Sequence, residues 1–200
     1  MASTLRMSSL LSKYSNKDVN FGKYFKGVTK FGKQVMAQTF AMLYKTIDTA
    51  NGTMTVYDYC TQKLGWSNAK IKNTFNLSER EMIRNDPNSH EFDCDVTLFC
   101  KIIMLILDDS TLPDIQRKEI RDLKNLRNTV CHEDIELDEV ELNNRMNILR
   151  DLCRNILTGA ASIAGEDVSD FIKEIEDGLK DLLVSQLDPK DIQAYLNEVE

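Results

Sequence analysis

The chain has 200 residues, a size typical of one domain or of one domain with an appended segment. Its 42% hydrophobic and 28% charged content is that of a globular protein and excludes a chain that is disordered throughout. The net charge of −7 divides unevenly: residues 1–80 carry 12 basic and 4 acidic side chains, a net of +8, and residues 81–200 carry 13 and 28, a net of −15.

Compartment signals in the sequence favour a cytoplasmic protein. The longest apolar run, Ile102–Leu107, has six residues, whereas a membrane-spanning helix needs about 20, so we expect no membrane span. Five cysteines, an odd number without a Cys-x-x-Cys pair, are typical of reduced thiols in the cytosol or nucleus. Residues 1–20 are serine-rich and basic, as a mitochondrial presequence is, but we favour a polar leader.

The first predicted helix covers Val28–Ala50, where apolar residues recur at steps of three and four until Asn51-Gly52 ends the pattern. A shorter helical segment is predicted over Thr55–Leu64. The start of another helix is predicted from a capping box, with Ser78 as the N-cap and Glu81 three residues later.

Four longer helices are predicted after residue 90. Asp93–Leu107 is apolar on nearly every side and is expected to be the central buried helix. Helices over Asp114–His132 and Asp138–Leu157 follow, then a small-residue hinge over Thr158–Gly165 and an amphipathic helix over Val168–Leu187, with a short helix after Pro189. The side chains expected to point inward from the two middle helices are Ile115, Ile120, Leu123, Leu126, Val130, Val140, Ile148, Leu149, Leu152 and Ile156.

These elements predict an all-α fold, because no segment alternates convincingly at a period of two residues. The expected architecture is an up-down helical bundle of four to five helices with a C-terminal appended helix. We assign residues 1–20 to a polar leader, 21–158 to the bundle, and 166–200 to an appended helix or a linker to a further module.

Basic and aromatic residues are interleaved over Lys13–Lys33, where Phe21-Gly22-Lys23 recurs as Phe31-Gly32-Lys33. Cations beside stacking rings suit single-stranded nucleic acid. The alternative, which we favour, is that the rings belong to the core and the lysines to a solvated face, and the exposure of Phe21 and Tyr24 distinguishes the two. The candidate RNA-binding residues of this segment are Lys23, Lys26, Lys30 and Lys33.

Phosphate-loop and metal motifs are weak in this sequence. Gly27–Lys33 has the glycine and lysine spacing of a P-loop, but Gln34 replaces the hydroxyl residue that holds magnesium, and no apolar strand precedes it. His90, Cys94 and Cys100 fit no standard zinc spacing. We therefore expect neither a metal nor a cofactor, and we interpret the cysteines as small buried apolar residues.

The most informative segment is the Arg-Asn-x-x-x-His string formed by Arg127, Asn128 and His132. Histidine is a general acid or base near neutral pH, and arginine holds phosphate oxygens and stabilises the charge that develops on them. These groups suit metal-free RNA cleavage, in which a 2′-hydroxyl attacks its own phosphate, and Lys124 and Arg121 add cations nearby. The structural alternative is that the histidine caps a helix and the arginine pairs with a carboxylate.

This string, on the fourth helix of a predicted bundle, resembles the motif of HEPN domains. The flanking segments Phe92–Cys100, Ile120–His132 and Glu136–Val140 resemble one branch of that family, found in DAZ-interacting-protein-type ubiquitin ligases and invertebrate immune-receptor-like proteins. The resemblance covers roughly Tyr24–Leu157 and is specific only after Phe92. Phe171–Leu187 resembles the linker helix that often follows.

The resemblance implies a homodimer that binds and cleaves single-stranded RNA without a metal and leaves a cyclic phosphate. It implies that Arg127 stabilises the phosphate, that His132 is the base or acid, and that Asn128 orients the histidine or the RNA. Many HEPN domains are not nucleases, so the alternative is a non-catalytic interaction or oligomerisation module of an innate-immune or ubiquitin-pathway protein. The sequence leaves both open, since the acids Glu133, Asp134 and Glu136 after the motif would repel RNA unless they point away.

The charge division predicts two different surfaces. The basic first part is the expected RNA-facing surface, and the acidic C-terminal helix is the expected contact for a protein partner.

Overall fold

In the computed structural model, the described residues are 14–48, 54–108, 110–132, 136–188 and 192. Every regular element in these ranges is helical, so the predicted all-α helical class is confirmed. Lys13, the Asn51-Gly52 stop, Glu133, Asp134 and the helix predicted after Pro189 lie outside the described residues.

Nine α-helical segments and two π-helical turns make up the described structure. The π-helical turns are Gly27–Phe31 and Tyr59–Lys63. The α-helices are α1 Asn16–Lys26, α2 Gly32–Ile47, α3 Val56–Asp58, α4 Asn68–Thr74, α5 Leu77–Met82, α6 Val96–Ile106, α7 Asp114–His132, α8 Glu139–Ala164 and α9 Ser169–Val184. Among the described residues, none of these helices is long and apolar enough to cross a bilayer.

The predicted bounds hold for α7, and within one residue for the segment Val56–Lys63 and for the starts of α8 and α9, but two predicted helix starts differ for local reasons. The first helix starts at Asn16 rather than Val28, because Ser15 and Asp18 form a capping box there. α5 is capped by Asn76 with Glu79, so the assignment of Ser78 and Glu81 was wrong by two residues.

The predicted hinge over Thr158–Gly165 is wrong, because α8 continues through it to Ala164. Alanine is the strongest helix former, and Ala160 is fully buried. Gly159 lies so close to Gln116 that a Cβ would overlap its side-chain amide. The helix ends only at Gly165, whose φ of +68° suits glycine.

The chain divides into two compact units, each with its own core. Unit 1 consists of residues up to 32 together with Asp122–Asn155 and the chain from Ser169 onward, and unit 2 consists of Lys33–Arg121 and Ile156–Val168.

The core of unit 1 is built on the aromatic face of α1 and the turn that follows it. Phe21 and Phe25 meet edge to face at 6.1 Å, and the Arg145 guanidinium lies 5.7 Å from the centre of the Tyr24 ring. The turn after α1 packs against α8 and α9, because Gly27 contacts Met146 and Leu149, and Gly178 of α9 contacts Phe31. Other buried side chains of this unit are Val28, Leu123, Val130, Leu142, Ile175, Leu179 and Leu182.

The core of unit 2 is centred on Phe40, whose ring lies 5.0–5.6 Å from the rings of Tyr44, Phe92 and Phe99. The buried Arg117 guanidinium donates hydrogen bonds to the carbonyl oxygens of Leu107 and Leu112, at 2.9 and 3.0 Å. These bonds fix the turn between α6 and α7, because carbonyl groups removed from water need hydrogen-bond donors.

Three side chains predicted to point inward are exposed: Ile115, Val140 and Ile148 are 62%, 71% and 60% accessible. Ile115 precedes the buried Ile120 by five residues, and five residues turn a helix by about 140° from the same face. In α8 the buried stripe is instead formed by residues spaced three and four apart. Its members are Leu142, Met146, Leu149, Cys153, Ile156 and Ala160.

Replacing Gly178 by alanine is expected to destabilise the protein, although glycine to alanine normally strengthens a helix by about 1 kcal/mol. The new Cβ would lie 2.5 Å from Cε1 of Phe31, so the ring or α9 must move. We expect the free energy of unfolding, measured by urea denaturation, to fall by about 1–3 kcal/mol. Phe31→Leu in the Gly178→Ala background removes the end of the ring and should recover part of the loss; an unchanged urea midpoint in Gly178→Ala would contradict the contact.

Candidate functional site

The Arg-Asn-x-x-x-His string occupies the last turns of α7 within unit 1. Leu123 and Val130 are fully buried and hold this part of the helix against the unit, while His132 is its exposed last residue. Arg127 and Asn128 are half-buried. The sequence thus places an accessible imidazole at the C-terminal end of a well-packed helix.

The structure brings together only two of the three motif residues. Asn128 and His132 are four residues apart, so they lie about 40° apart around the helix, on its accessible side. Arg127 precedes His132 by five residues, about 140° around the helix, and lies between the buried Leu123 and Cys131 around α7. Arg127 and His132 of one chain are therefore attached on different sides of α7, and the helix does not direct both side chains toward the same phosphate.

A groove opens beside this motif between α7 and α8, entirely within unit 1. Its volume is about 360 Å³, and its apolar wall includes the exposed Ile148 with the half-buried Leu126 and Leu152. The polar part of its rim consists of Asp122, Asn125 and Thr129. The sequence analysis assigned Ile148 to the core and so missed this groove. The signal that would have revealed it is the three-and-four stripe of Leu142, Met146, Leu149 and Cys153, which excludes residue 148.

A second cavity, of about 530 Å³, lies where α1 meets the start of α8 and the end of α9. Lys23 lines it and donates a hydrogen bond to the carbonyl oxygen of Leu183 in the last turn of α9. Burial lowers the pKa of Lys23. Lys17, at the same cavity, is paired with Glu136. Both lysines therefore join parts of unit 1 to one another.

Four of the five aromatic rings of the basic segment belong to the core, as the favoured interpretation predicted, and Tyr14 is half-buried. Phe21 and Tyr24 are 5% and 2% accessible and cannot stack with bases. Lys33 is paired with Asp93, and the Lys30 ammonium lies 5.1 Å from the centre of the Phe31 ring.

The other predicted RNA-binding cations differ in exposure. Lys26 and Lys124 are half-buried. Arg121, the last residue of the first segment of unit 2, is exposed. An RNA-binding role for the predicted cations stays a prediction.

The P-loop-like string forms helical backbone rather than a phosphate loop. Gly27–Phe31 is a π-helical turn, and Lys33 lies in α2. Gly27 serves close packing, since a Cβ there would come within 3.2 Å of both Met146 and Leu149.

All five cysteines are free and buried, as expected for small apolar residues. Burial raises the pKa of Cys60 to about 11, and that of Cys94 and Cys153 to about 12, so these thiols are poor nucleophiles. Within the described residues, no group of three or more histidine, cysteine or acidic side chains is arranged to hold a metal ion.

No protein-family model matches the chain, and no curated protein or solved structure shows a significant match to it. The HEPN resemblance therefore rests on the sequence segments Phe92–Cys100, Ile120–His132, Glu136–Val140 and Phe171–Leu187 alone.

We expect the native thiols to resist an aromatic disulfide reagent at pH 8, because burial keeps them protonated and inaccessible. Absorbance of the released thiolate should show slow, substoichiometric reaction of the native chain and reaction of all five cysteines after unfolding. Fast native reaction of a single thiol would contradict the burial.

The same pKa shifts predict the direction of alkaline destabilisation. The folded-state values lie above the ordinary 9.0, so above that pH the unfolded chain loses its thiol protons first and the free energy of unfolding falls. Urea denaturation at a series of pH values should show this fall, and Cys153→Ala should reduce its slope. An identical slope in that variant would contradict the assignment.

Proposed function

We propose that this chain is a HEPN-like helical module that associates with a second copy through the groove between α7 and α8. The carrying observation is the exposure of Ile148 at an apolar groove whose rim is polar. An apolar centre with a polar rim is the usual anatomy of a protein interface. Two-fold pairing would remove Ile148 from water in both copies at once.

Self-association through this surface corresponds to the interaction-module hypothesis. The basic segment that suggested RNA has four of its five rings in the core, which favours this hypothesis over an RNA-first function. The half-buried Leu126 and Leu152 add apolar area beside Ile148. The acidic α9 adds a candidate surface for a further protein partner, since Asp170, Glu174 and Asp181 are exposed on it. We expect the protein to act in the cytoplasm, in an innate-immune or ubiquitin pathway.

The second candidate function is metal-free RNA cleavage by the paired form, and the exposed His132 with Asn128 on its face favours it. Because Arg127 of the same copy points to the other side of α7, a second copy is the simplest source of a phosphate-binding arginine. His132 would accept the 2′-hydroxyl proton while that oxygen attacks phosphorus. The 5′-oxygen would leave with a proton, and a 2′,3′-cyclic phosphate would remain.

Ile148→Asp is expected to convert a dimer to a monomer, because a carboxylate buried at the centre of an interface loses its hydration. Sedimentation velocity or light scattering after size exclusion measures this. Val140→Asp is the matched control: Val140 is also exposed on α8 but does not line the groove, so this variant should remain dimeric. A wild-type chain that is monomeric at high concentration would overturn the proposal.

His132→Ala is expected to reduce cleavage of a labelled single-stranded RNA in EDTA by about 10²–10⁴-fold, the usual contribution of a general acid or base. His90→Ala is the matched control, since His90 is the other histidine of the chain and is also exposed. Gel analysis should show a cyclic-phosphate product. Absence of cleavage by the wild type, or equal cleavage by His132→Ala, would remove the nuclease function and leave the self-association proposal standing.

A further inference from the structure

Unit 2 carries a surface on which exposed cations lie over partly exposed aromatic rings. The Lys70 ammonium is 4.1 Å from the centre of the Trp66 ring, and the Arg84 guanidinium carbon is 4.4 Å from the centre of the Tyr57 ring. Both rings are half-buried, and both cations are exposed. These four residues form what we call the basic–aromatic surface.

Hydrogen bonds hold the segments of this surface together. The Tyr57 hydroxyl donates to Oδ1 of Asn68 at 2.7 Å, which joins α3 to the first turn of α4. The Tyr57 amide donates to the carbonyl of Ile83 at 2.9 Å, beside Arg84, and the Trp66 amide donates to the carbonyl of Cys60 at 2.9 Å. The two ring–cation pairs are therefore presented by one connected piece of backbone.

The cations of this surface are not neutralised by carboxylates. In the described part of the chain, no ion pair involves Lys70 or Arg84. Two of the three acids in this segment are engaged elsewhere, while Glu81 is exposed: Glu79 pairs with Lys101 and caps α5, and Asp58 accepts a hydrogen bond from Thr55. Residues 57–84 hold five basic and three acidic side chains, a net of +2 within a chain of −7.

Lysines elsewhere in unit 2 differ in this respect. Lys33 is paired with Asp93, Lys45 with Glu166 and Lys101 with Glu79. Unneutralised cations concentrated beside accessible rings are the combination that single-stranded nucleic acids require, since the cations meet phosphates and the rings accept bases.

We propose that the basic–aromatic surface binds single-stranded nucleic acid. A base stacks on Trp66 once Lys70 moves from the ring to a phosphate, an exchange that costs little because an exposed cation–π contact is weak. Arg84, held over Tyr57, binds a neighbouring phosphate or stacks under a base, as a planar cation does.

This binding requires neither the groove at Ile148 nor His132, because every residue of the basic–aromatic surface belongs to unit 2. A DNA strand has no 2′-hydroxyl and cannot be cut by the chemistry considered for His132. Single-stranded DNA therefore tests binding apart from cleavage.

The chain itself supplies the probe, because Trp66 is its only tryptophan. Titration of the full chain with oligodeoxythymidylate of about 10 nucleotides, within the site size of known stacking surfaces, should quench the tryptophan fluorescence and saturate. Anisotropy of the same oligonucleotide with a fluorescent label measures the affinity independently. The affinity should fall as salt rises, because phosphate contacts release counterions.

Arg84→Ala combined with Lys70→Glu should weaken binding by about tenfold or more, given that one stacked base contributes about 1–3 kcal/mol, and tenfold corresponds to about 1.4 kcal/mol. Lys173→Glu is the matched control, an exposed lysine of α9 in unit 1, and should bind as the wild type does. Circular dichroism and thermal melting confirm that each variant is folded. Arg84→Lys keeps the charge but not the planar group, so its affinity should lie between that of the wild type and that of the double variant.

Three results would each overturn the proposal. They are no quenching and no anisotropy change at low salt, undiminished binding by the folded double variant, and equal weakening by Lys173→Glu. Quenching of Trp66 by a polyglutamate peptide with the affinity of the oligonucleotide would also overturn it, because the surface would then recognise anionic chains rather than nucleic acid.

Discussion

The burial of the aromatic face of α1 is the constraint on which unit 1 depends. Phe21, Tyr24 and Phe25 fill the space beside α8, and Phe31 meets α9 where Gly178 leaves room for its ring. Once these rings are inside, the lysines between them can reach only the edge of the core. Two of them bind groups of the same unit: Lys17 pairs with Glu136, and Lys23 binds the end of α9. These two lysines thereby stabilise the fold of unit 1.

On α8, the burial of one stripe of apolar side chains leaves another apolar side chain exposed at the groove between α7 and α8. Because Leu142, Met146 and Leu149 occupy the core, Ile148 must face outward. The proposed self-association would explain why an apolar side chain is this exposed at a groove. Val140 is also exposed, but it lines neither of the cavities described for this unit. The candidate catalytic histidine lies at the end of the neighbouring helix, so association and chemistry would use adjacent surfaces of the same unit.

Helical periodicity predicted the all-α class and the bounds of α7, because long amphipathic helices leave a strong pattern. It failed where small residues resembled a hinge, as at Ala160 and Ala161, since their helical role depends on tight packing. The prediction was also wrong for Ile115, because a five-residue step between apolar residues was treated like a four-residue step, although only the latter stays on one face of the helix. For the site, sequence identified Arg127, Asn128 and His132 but could not show that the first lies on the packed side of α7.

The sequence by itself determined the helical class, the reduced cysteines, the charge division and the Arg-Asn-x-x-x-His string, because each depends on residue type and spacing along one helix. Only the tertiary structure decided which rings are buried and which cations have partners. Similar interleaving of rings and lysines forms core at Tyr24, which is 2% accessible beside Arg145 of α8, and a half-buried ring at Trp66, over which the exposed Lys70 lies. Burial depends on neighbours distant in the chain, which no local pattern contains.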